Sequence, residues 1–374
     1  MPIKKTPRQK EKSFYRSKPP RSAAPKPSEG GPDLPHAKTL EPRHFELRED
    51  WTVAANAECG VRNAESIERS PNLVYSHESP FIRLYHGDCF QLLDAIAARY
   101  PHGRFDAIFA DPPYFLSNGG ITCHAGKMVK VDKGDWDKSR GPELNHEFNR
   151  EWLARCRRVL KPNGTIWVSG TLHVIFSIGY AMQQLGFKIL NDIAWEKPNP
   201  PPNLSCRYFT HSTETILWAA RDEKSKHTFN YDAMRAVTGK QMKTVWRNLS
   251  ESREGREGNE EDELPSRSSR SSRDPSSIWT LSAPGSDEKI HGKHPTQKPV
   301  GLIERCLLAS TNPGDLVLDP FLGGGTTAIA ALKLKRGCVG IELDEAHAKL
   351  AKKRIERETH NSEDLWNVNK RTSA

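Results

Sequence analysis

Residues 316–342 read LVLDPFLGGGTTAIAALKLKRGCVGIE, and this stretch decides the fold. A short apolar run, Leu316 to Leu318, ends on Asp319; Pro320, Phe321, Leu322, three glycines and Thr326-Thr327 follow. A helical pattern covers about 326–334, and a second apolar run, 338–341, closes on Glu342. Strand, glycine turn, helix and strand make the unit from which parallel sheets are built. Glycines let the backbone approach a ligand closely, and the helix start offers unpaired N–H donors. A carboxylate closing the second strand suits the two hydroxyls of a ribose. Asp319, Phe321, Gly323, Gly325, Thr326 and Glu342 are therefore candidate contacts for a nucleoside-containing cofactor. Asp319 would repel a pyrophosphate, which argues against a dinucleotide; it could instead pair with the α-amino group of a methionine moiety. No G-x-x-x-x-G-K-[ST] occurs, which argues against a P-loop.

The same alternation extends upstream. Stretches 81–86, 106–110, 165–169, 188–195 and 214–219 read as strands. Helices are expected over 88–100, 143–160, 172–185, 300–310 and 345–358. The expected fold class is α/β, Rossmann-like, with a mostly parallel sheet covered by helices on both faces. Ligands in such sheets bind at the carboxyl ends of the strands.

Asp111-Pro112-Pro113-Tyr114 stands at one such end. Two prolines remove two backbone donors and fix φ. The Asp111 carboxylate and the Pro112 carbonyl can then accept both hydrogens of an exocyclic amine, with Tyr114 as a stacking face. That arrangement grips a base taken out of its helix; the plainer reading is a tight surface turn. Asp88 ends another strand and reads as lining the pocket near a cofactor adenine. Residues 291–299, HGKHPTQKP, read either as a basic helix entry or as a clamp on a cofactor carboxylate through Thr296 and Lys298.

The 374 residues carry a formal charge of +9, and mean hydropathy is −0.71. Such polarity suggests that disordered segments dilute an ordinary core. Residues 1–35 hold nine Lys/Arg, three Asp/Glu and eight prolines, so 1–50 is expected to be a disordered basic tail. Such a tail is either solvated or a tether for phosphates. A linker is expected over 51–78, and a disordered insert at about 248–277, acidic first and then Ser/Arg-rich. No apolar run is long enough to span a membrane. Seven scattered cysteines without a C-x-x-C pair argue against a disulfide framework or zinc ribbon, and a reducing cytoplasm fits.

D-P-P-Y, K-H-P-T-Q-K-P, D-P-F-L-G-G-G-T-T and G-I-E, in that order, resemble the β group of amino-DNA methyltransferases. Residues 110–120, 131–138 and 203–218 are further similar to the GATC adenine methyltransferases that accompany DpnII-type restriction systems. The resemblance implies a catalytic half over 79–220, with a DNA-contacting loop at 115–141. It also implies a target-recognition region over 221–290, an S-adenosyl-L-methionine half over 291–360, and a tail over 361–374. It implies methyl transfer to the N6 amine of adenine in DNA, without metal or covalent intermediate. Lys127, Lys130, Lys133, Trp136, Lys138 and Arg207 become candidate DNA contacts, while a restriction endonuclease and a second copy of the chain become expected partners. The basic tail and the 248–277 insert depart from the compact members of the group. The alternatives are an amino-methyltransferase for cytosine or RNA, and a catalytically silent DNA-binding module. A glutamine-amide methyltransferase would carry Asn-Pro-Pro-Tyr after the glycine turn, the reverse of the order here.

Overall fold

The computed structural model describes residues 46–47, 53–54, 71–117, 119, 121–124, 127–130, 134–197, 200, 202–203, 205–238, 241–246, 288, 292 and 296–371. The 248–277 insert lies outside the described residues, as does the tail expected over 1–50 except for Glu46–Leu47, which form a strand rather than disordered chain. In chain order, strands β1 (Glu46–Leu47) and β2 (Val53–Ala54) pair with each other and precede β3 (Asn72–His77) and β4 (Ile82–His86). Helix α1 (Cys89–Arg99), β5 (Phe105–Ala110) and a hairpin of β6 (Ile121–His124) and β7 (Lys127–Lys130) follow. Next come α2 (Pro142–Val159), β8 (Leu160–Gly170), α3 (Ile175–Gln184), β9 (Lys188–Glu196) and β10 (Thr213–Ala220). The chain continues through α4 (Tyr231–Thr238), β11 (Val245–Trp246), α5 (Val300–Ser310) and β12 (Leu316–Asp319). It closes with α6 (Thr326–Lys333), β13 (Gly337–Glu342) and α7 (Glu345–Arg371).

Nine strands form one sheet in the order β11-β9-β10-β8-β5-β12-β13-β4-β3. The run from β8 to β4 is parallel throughout, whereas β10 and β3 pair antiparallel with their neighbours. The sheet is buried on both faces, which is why its central strands read as continuous apolar runs rather than alternating ones. Successive side chains still go to opposite sides. Ile108, Ile166, Val339 and Ile341 pack with α1, α2 and α3. Phe109, Trp167, Val317 and Cys338 pack with α5, α6 and α7.

Strand β12 lies between β5 and β13, and β13 pairs with β4. The late pair β12-β13 thus fills the space between two strands laid down more than two hundred residues earlier. From β5 the chain crosses to β8 on one side; from β12 it crosses to β13 on the other. The crevice between β5 and β12 is therefore a topological switch point.

Local differences from expectation have physical causes. Strand β3 falls in the expected linker, because a half-buried edge strand leaves little periodic signal. The strand expected over 165–169 begins earlier, since Lys161 to Gly164 belong to β8, where Leu160 already pairs with Phe105 before a register shift. The expected DNA-contacting loop contains the β6-β7 hairpin, and α7 runs to Arg371 rather than stopping at 358. Among the described residues, no helix is long and apolar enough to cross a membrane.

Candidate active site

Four adjacent parallel strands release carboxylates at the same edge of the sheet. Strand β5 leads into Asp111, β12 ends on Asp319, β13 ends on Glu342, and Asp88 follows β4 by two residues. These four side chains line one cavity of about 390 Å³, together with Lys298 and Gly323. Pro113, Trp136, Thr296, Phe321 and Thr326 also line it.

The β12-β13 side forms a floor built by the glycine turn. Gly325 caps α6 at φ +84°, and a Cβ there would lie 3.2 Å from Ala351. Gly340 has Leu322 within 2.5 Å of where a Cβ would stand. Both positions exclude larger residues, and Arg354 fixes the turn by donating to the Gly324 carbonyl. Asp319 is 3% exposed; its Oδ2 accepts from Thr327 Oγ1 at 2.5 Å and its Oδ1 from Phe321 N at 2.9 Å. Burial pushes the Asp319 carboxyl up to about 7, against these hydrogen bonds. Glu342 accepts from Gly323 N at 2.7 Å and Asp344 N at 2.8 Å, and burial raises it as well. Each Glu342 oxygen keeps a lone pair beyond those two bonds. Asp88 caps α1 by accepting from Phe90 N at 2.8 Å. A buried acid with no cation beside it among the described residues, and a ribose-type acceptor at another point, fit an aminoacyl-bearing nucleoside.

Asp111 is treated differently. Lys298 Nζ donates to its Oδ2 at 2.6 Å, while Ser169 Oγ and the Tyr114 hydroxyl both donate to its Oδ1 at 2.6 Å. Burial alone would raise the carboxyl, but the Lys298 ammonium and the three hydrogen bonds outweigh it and hold it below its usual range. Burial likewise opposes the Lys298 charge, yet Asp111, Tyr114 and Glu214 raise that ammonium well above the ordinary lysine range. The Tyr114 ring is 6% exposed and lies 5.3 Å from the Lys298 ammonium, with its hydroxyl 3.2 Å from Ser169 Oγ. Pro112 is buried beneath the turn. Below it, fully buried Asp137 accepts from Tyr114 N, Leu116 N and Ser117 Oγ at 2.9, 3.2 and 2.9 Å.

Thr296 and Lys298 both reach the cavity, but the Lys298 ammonium is engaged by Asp111 rather than waiting for a ligand carboxylate. Trp136 lines the cavity instead of standing out on a loop. Lys138 and Arg207 are exposed, and Lys127 and Lys130 belong to β7. The side chains of Lys127 and Lys130, and the whole of Lys133, lie outside the described residues. Sequence reasoning missed Asp137, Ser169 and Glu214. Ser169 had a usable signal, since it lies near the end of the strand beside β5.

This doubly covered parallel sheet, with its carboxylates gathered at a switch point, has the fold of the S-adenosylmethionine-dependent methyltransferases. The solved structure of PvuII DNA methyltransferase (cytosine-N4-specific) matches with a TM-score of 0.50 at 17% identity, covering 76% of this chain and 93% of that one. The M1.HpyAVI–SAM complex matches with a TM-score of 0.48 at 28% identity, covering 74% and 99%. A DNA methylase family profile, N6_N4_Mtase, matches residues 105–353. Type II methyltransferase M2.DpnII of Streptococcus pneumoniae is 50% identical over 277 residues, 74% of this chain and 90% of its own. Type II methyltransferase M2.MboI of Moraxella bovis is 45% identical over 272 residues, 72% of this chain and 86% of its own. The chain belongs to the N6/N4 DNA methylase family. Its substrate is DNA and its methyl donor is S-adenosyl-L-methionine.

Proposed function

We propose that this enzyme methylates the exocyclic N6 of adenine within GATC, as the protective arm of a restriction-modification system. The observation that carries the reading is the presence of Asp111 and Asp319 on one cavity wall, at the ends of neighbouring parallel strands. Kinship with M2.DpnII and M2.MboI supports the target and the pairing with a restriction endonuclease. Exposed Leu144, Phe176 and Tyr180 supply apolar surface for a dimer.

Bound S-adenosyl-L-methionine supplies a methyl group on a sulfonium, open to in-line attack by nitrogen. Asp319 receives the donor's ammonium, Glu342 its ribose hydroxyls, and Asp88 lines the adenine end. Thr296 completes the wall beside Asp319, and Trp136 closes the mouth near Glu342. Asp111 and the Pro112 carbonyl accept the two hydrogens of the flipped adenine's amine, which favours a tetrahedral, attacking nitrogen. Held in its ionised form, Asp111 would stabilise the positive charge on that nitrogen. As the nitrogen–carbon bond forms the carbon–sulfur bond breaks, S-adenosylhomocysteine leaves with the electron pair, and the methylated nitrogen gives its extra proton to solvent. Tyr114 turns from its buried position to stack on the base. Lys127, Lys130, Lys133, Lys138 and Arg207 pair with phosphates around the flipped position.

Nucleoside mass spectrometry after incubation with unmethylated DNA and S-adenosyl-L-methionine tests the reading, with sequencing to place the mark. N6-methyladenine confined to GATC is expected. N4-methylcytosine alone would overturn the adenine assignment, and adenine methylation at other sites would overturn GATC.

A further inference from the structure

Lys298 has a second place to go. Glu214, on β10, is 7% exposed, and its Oε2 is buried without a hydrogen-bond partner among the described residues. That oxygen lies 3.7 Å from Lys298 Nζ, so a movement of about 1 Å would convert an ion pair into a hydrogen bond. Two contacts hold Glu214 near this position. Its backbone is paired with Trp195 of β9, and Lys197 binds its other oxygen from the rim of the site. Asp111, Lys298 and Glu214 thus form a buried row of alternating charge ending on a lysine that is one-third exposed.

The row matters because Asp111 already accepts three hydrogen bonds in the state seen here, and its one remaining lone pair is on the oxygen that holds Lys298. Its Oδ1 already accepts from two hydroxyls and its Oδ2 from the Lys298 ammonium. An incoming amine would meet a positive charge beside the one acceptor it needs, and would become positive itself as it attacks. The Asp111–Lys298 pair is neutral as a unit; with Glu214 included, the buried group carries one net negative charge. We propose that Lys298 is shared between the two acids, and that Glu214 is the positioning residue that draws the ammonium off Asp111 when the target amine binds. Glu214 is not one of the residues that line the cavity. It acts by giving Lys298 an alternative partner, so that Asp111 faces the amine with its charge uncancelled. The proposal rests on Asp111 acting as the acceptor for the amine.

The test combines single-turnover kinetics with binding. Glu214→Gln is isosteric and removes the negative charge that draws the ammonium, leaving at most a neutral acceptor. It should slow methyl transfer roughly tenfold or more, with the dissociation constants for DNA and S-adenosyl-L-methionine changed by less than about threefold. Adding Lys298→Met to Glu214→Gln removes the ammonium that has nowhere to go, so the double variant should methylate at least about threefold faster than Glu214→Gln alone. A purely structural role predicts further loss instead, and a double variant as slow as Glu214→Gln, or slower, overturns the proposal. So does a Glu214→Gln enzyme of wild-type rate. If Glu214→Gln fails to fold, a crystal structure of the wild type with a GATC duplex and sinefungin decides. Nζ should then lie within hydrogen-bond reach of Glu214 Oε2 and outside that of Asp111, and an ammonium still on Asp111 overturns the idea. Absence of methylation by the wild type would sink the functional reading itself, a result distinguishable from all of these.

Discussion

Asp111 and Asp319 follow neighbouring parallel strands and face the same cavity, yet they are opposite in electrostatic character. Asp111 is held by an ammonium and two hydroxyls and lies below the usual carboxylate range. Asp319 is more deeply buried, its partners among the described residues are a hydroxyl and a backbone N–H, and burial lifts it to about 7. The difference teaches which ligand each expects. In the proposed mechanism Asp319 would take a cation that the donor brings, whereas Asp111 already has one and would exchange it for an amine.

Charge removal at each acid should therefore break different steps. Asp111→Asn keeps the shape and loses the charge that faces the attacking nitrogen. Methyl transfer should fall by about 10²- to 10³-fold, while affinity for S-adenosyl-L-methionine changes by less than about threefold. Rapid-quench kinetics and calorimetry on the same preparation measure the two quantities. Asp319→Asn should do the converse, weakening cofactor binding by roughly 30-fold or more as a buried charge loses its partner. Its rate at saturating cofactor should stay far closer to wild type than that of Asp111→Asn. Equal effects of both variants on binding would dissolve the contrast.

The contrast also predicts a pH dependence with a definite sign. Free Asp319 is protonated below about 7, and an ammonium binds its ionised form. The dissociation constant for S-adenosyl-L-methionine should therefore rise as pH falls below 7, by up to about tenfold per unit, and level off above it. Without cofactor, folded Asp319 holds a proton that the unfolded chain has already released. Stability of the cofactor-free protein should accordingly decline as pH rises from about 4 to 7, by at most about 4 kcal/mol. Asp111 works the other way, since its stabilisation is present above its unfolded value and lost only as pH falls further. Titration calorimetry across pH 6–8 and thermal melts across pH 5–8 check both signs; a flat cofactor affinity would place the buried proton elsewhere.

The halves of this contrast were not equally legible in the sequence. Asp319 and Glu342 could be read because a strand, a glycine turn, a helix and a strand are contiguous, and the carboxylates punctuate that unit. Asp111 could be located for a similar reason, at the end of an apolar strand and before two prolines. Its partners could not. Lys298 is 187 positions away and Ser169 is 58 away. They meet Asp111 only because β8 and β12 flank β5, and pairing order is a tertiary property. Hence Lys298 reads in sequence as a free cation at a helix entry, although in the fold it is the most committed cation in the cavity. Asp137 was obscured in the same way, since its value lies in three donors it accepts from a turn 20 to 23 residues upstream.

The smallest effect sharpens the contrast most finely. Ser169→Ala removes one of the two donors on Asp111 Oδ1 and leaves the Tyr114 hydroxyl and the Lys298 ammonium in place. A hydrogen bond to a charged group contributes about 1.5–3 kcal/mol net, and with two donors still on Asp111 only part of that should reach the rate, so methyl transfer should slow by roughly two- to tenfold. Cofactor affinity should be unchanged, because Asp319 and Glu342 do not contact Ser169. A loss as large as that of Asp111→Asn would mean that orientation of the carboxylate, and not its charge, sets the rate. A loss confined to cofactor binding would mean that the two acids act as one site. The comparison survives only if the effect is small and falls on the chemical step alone.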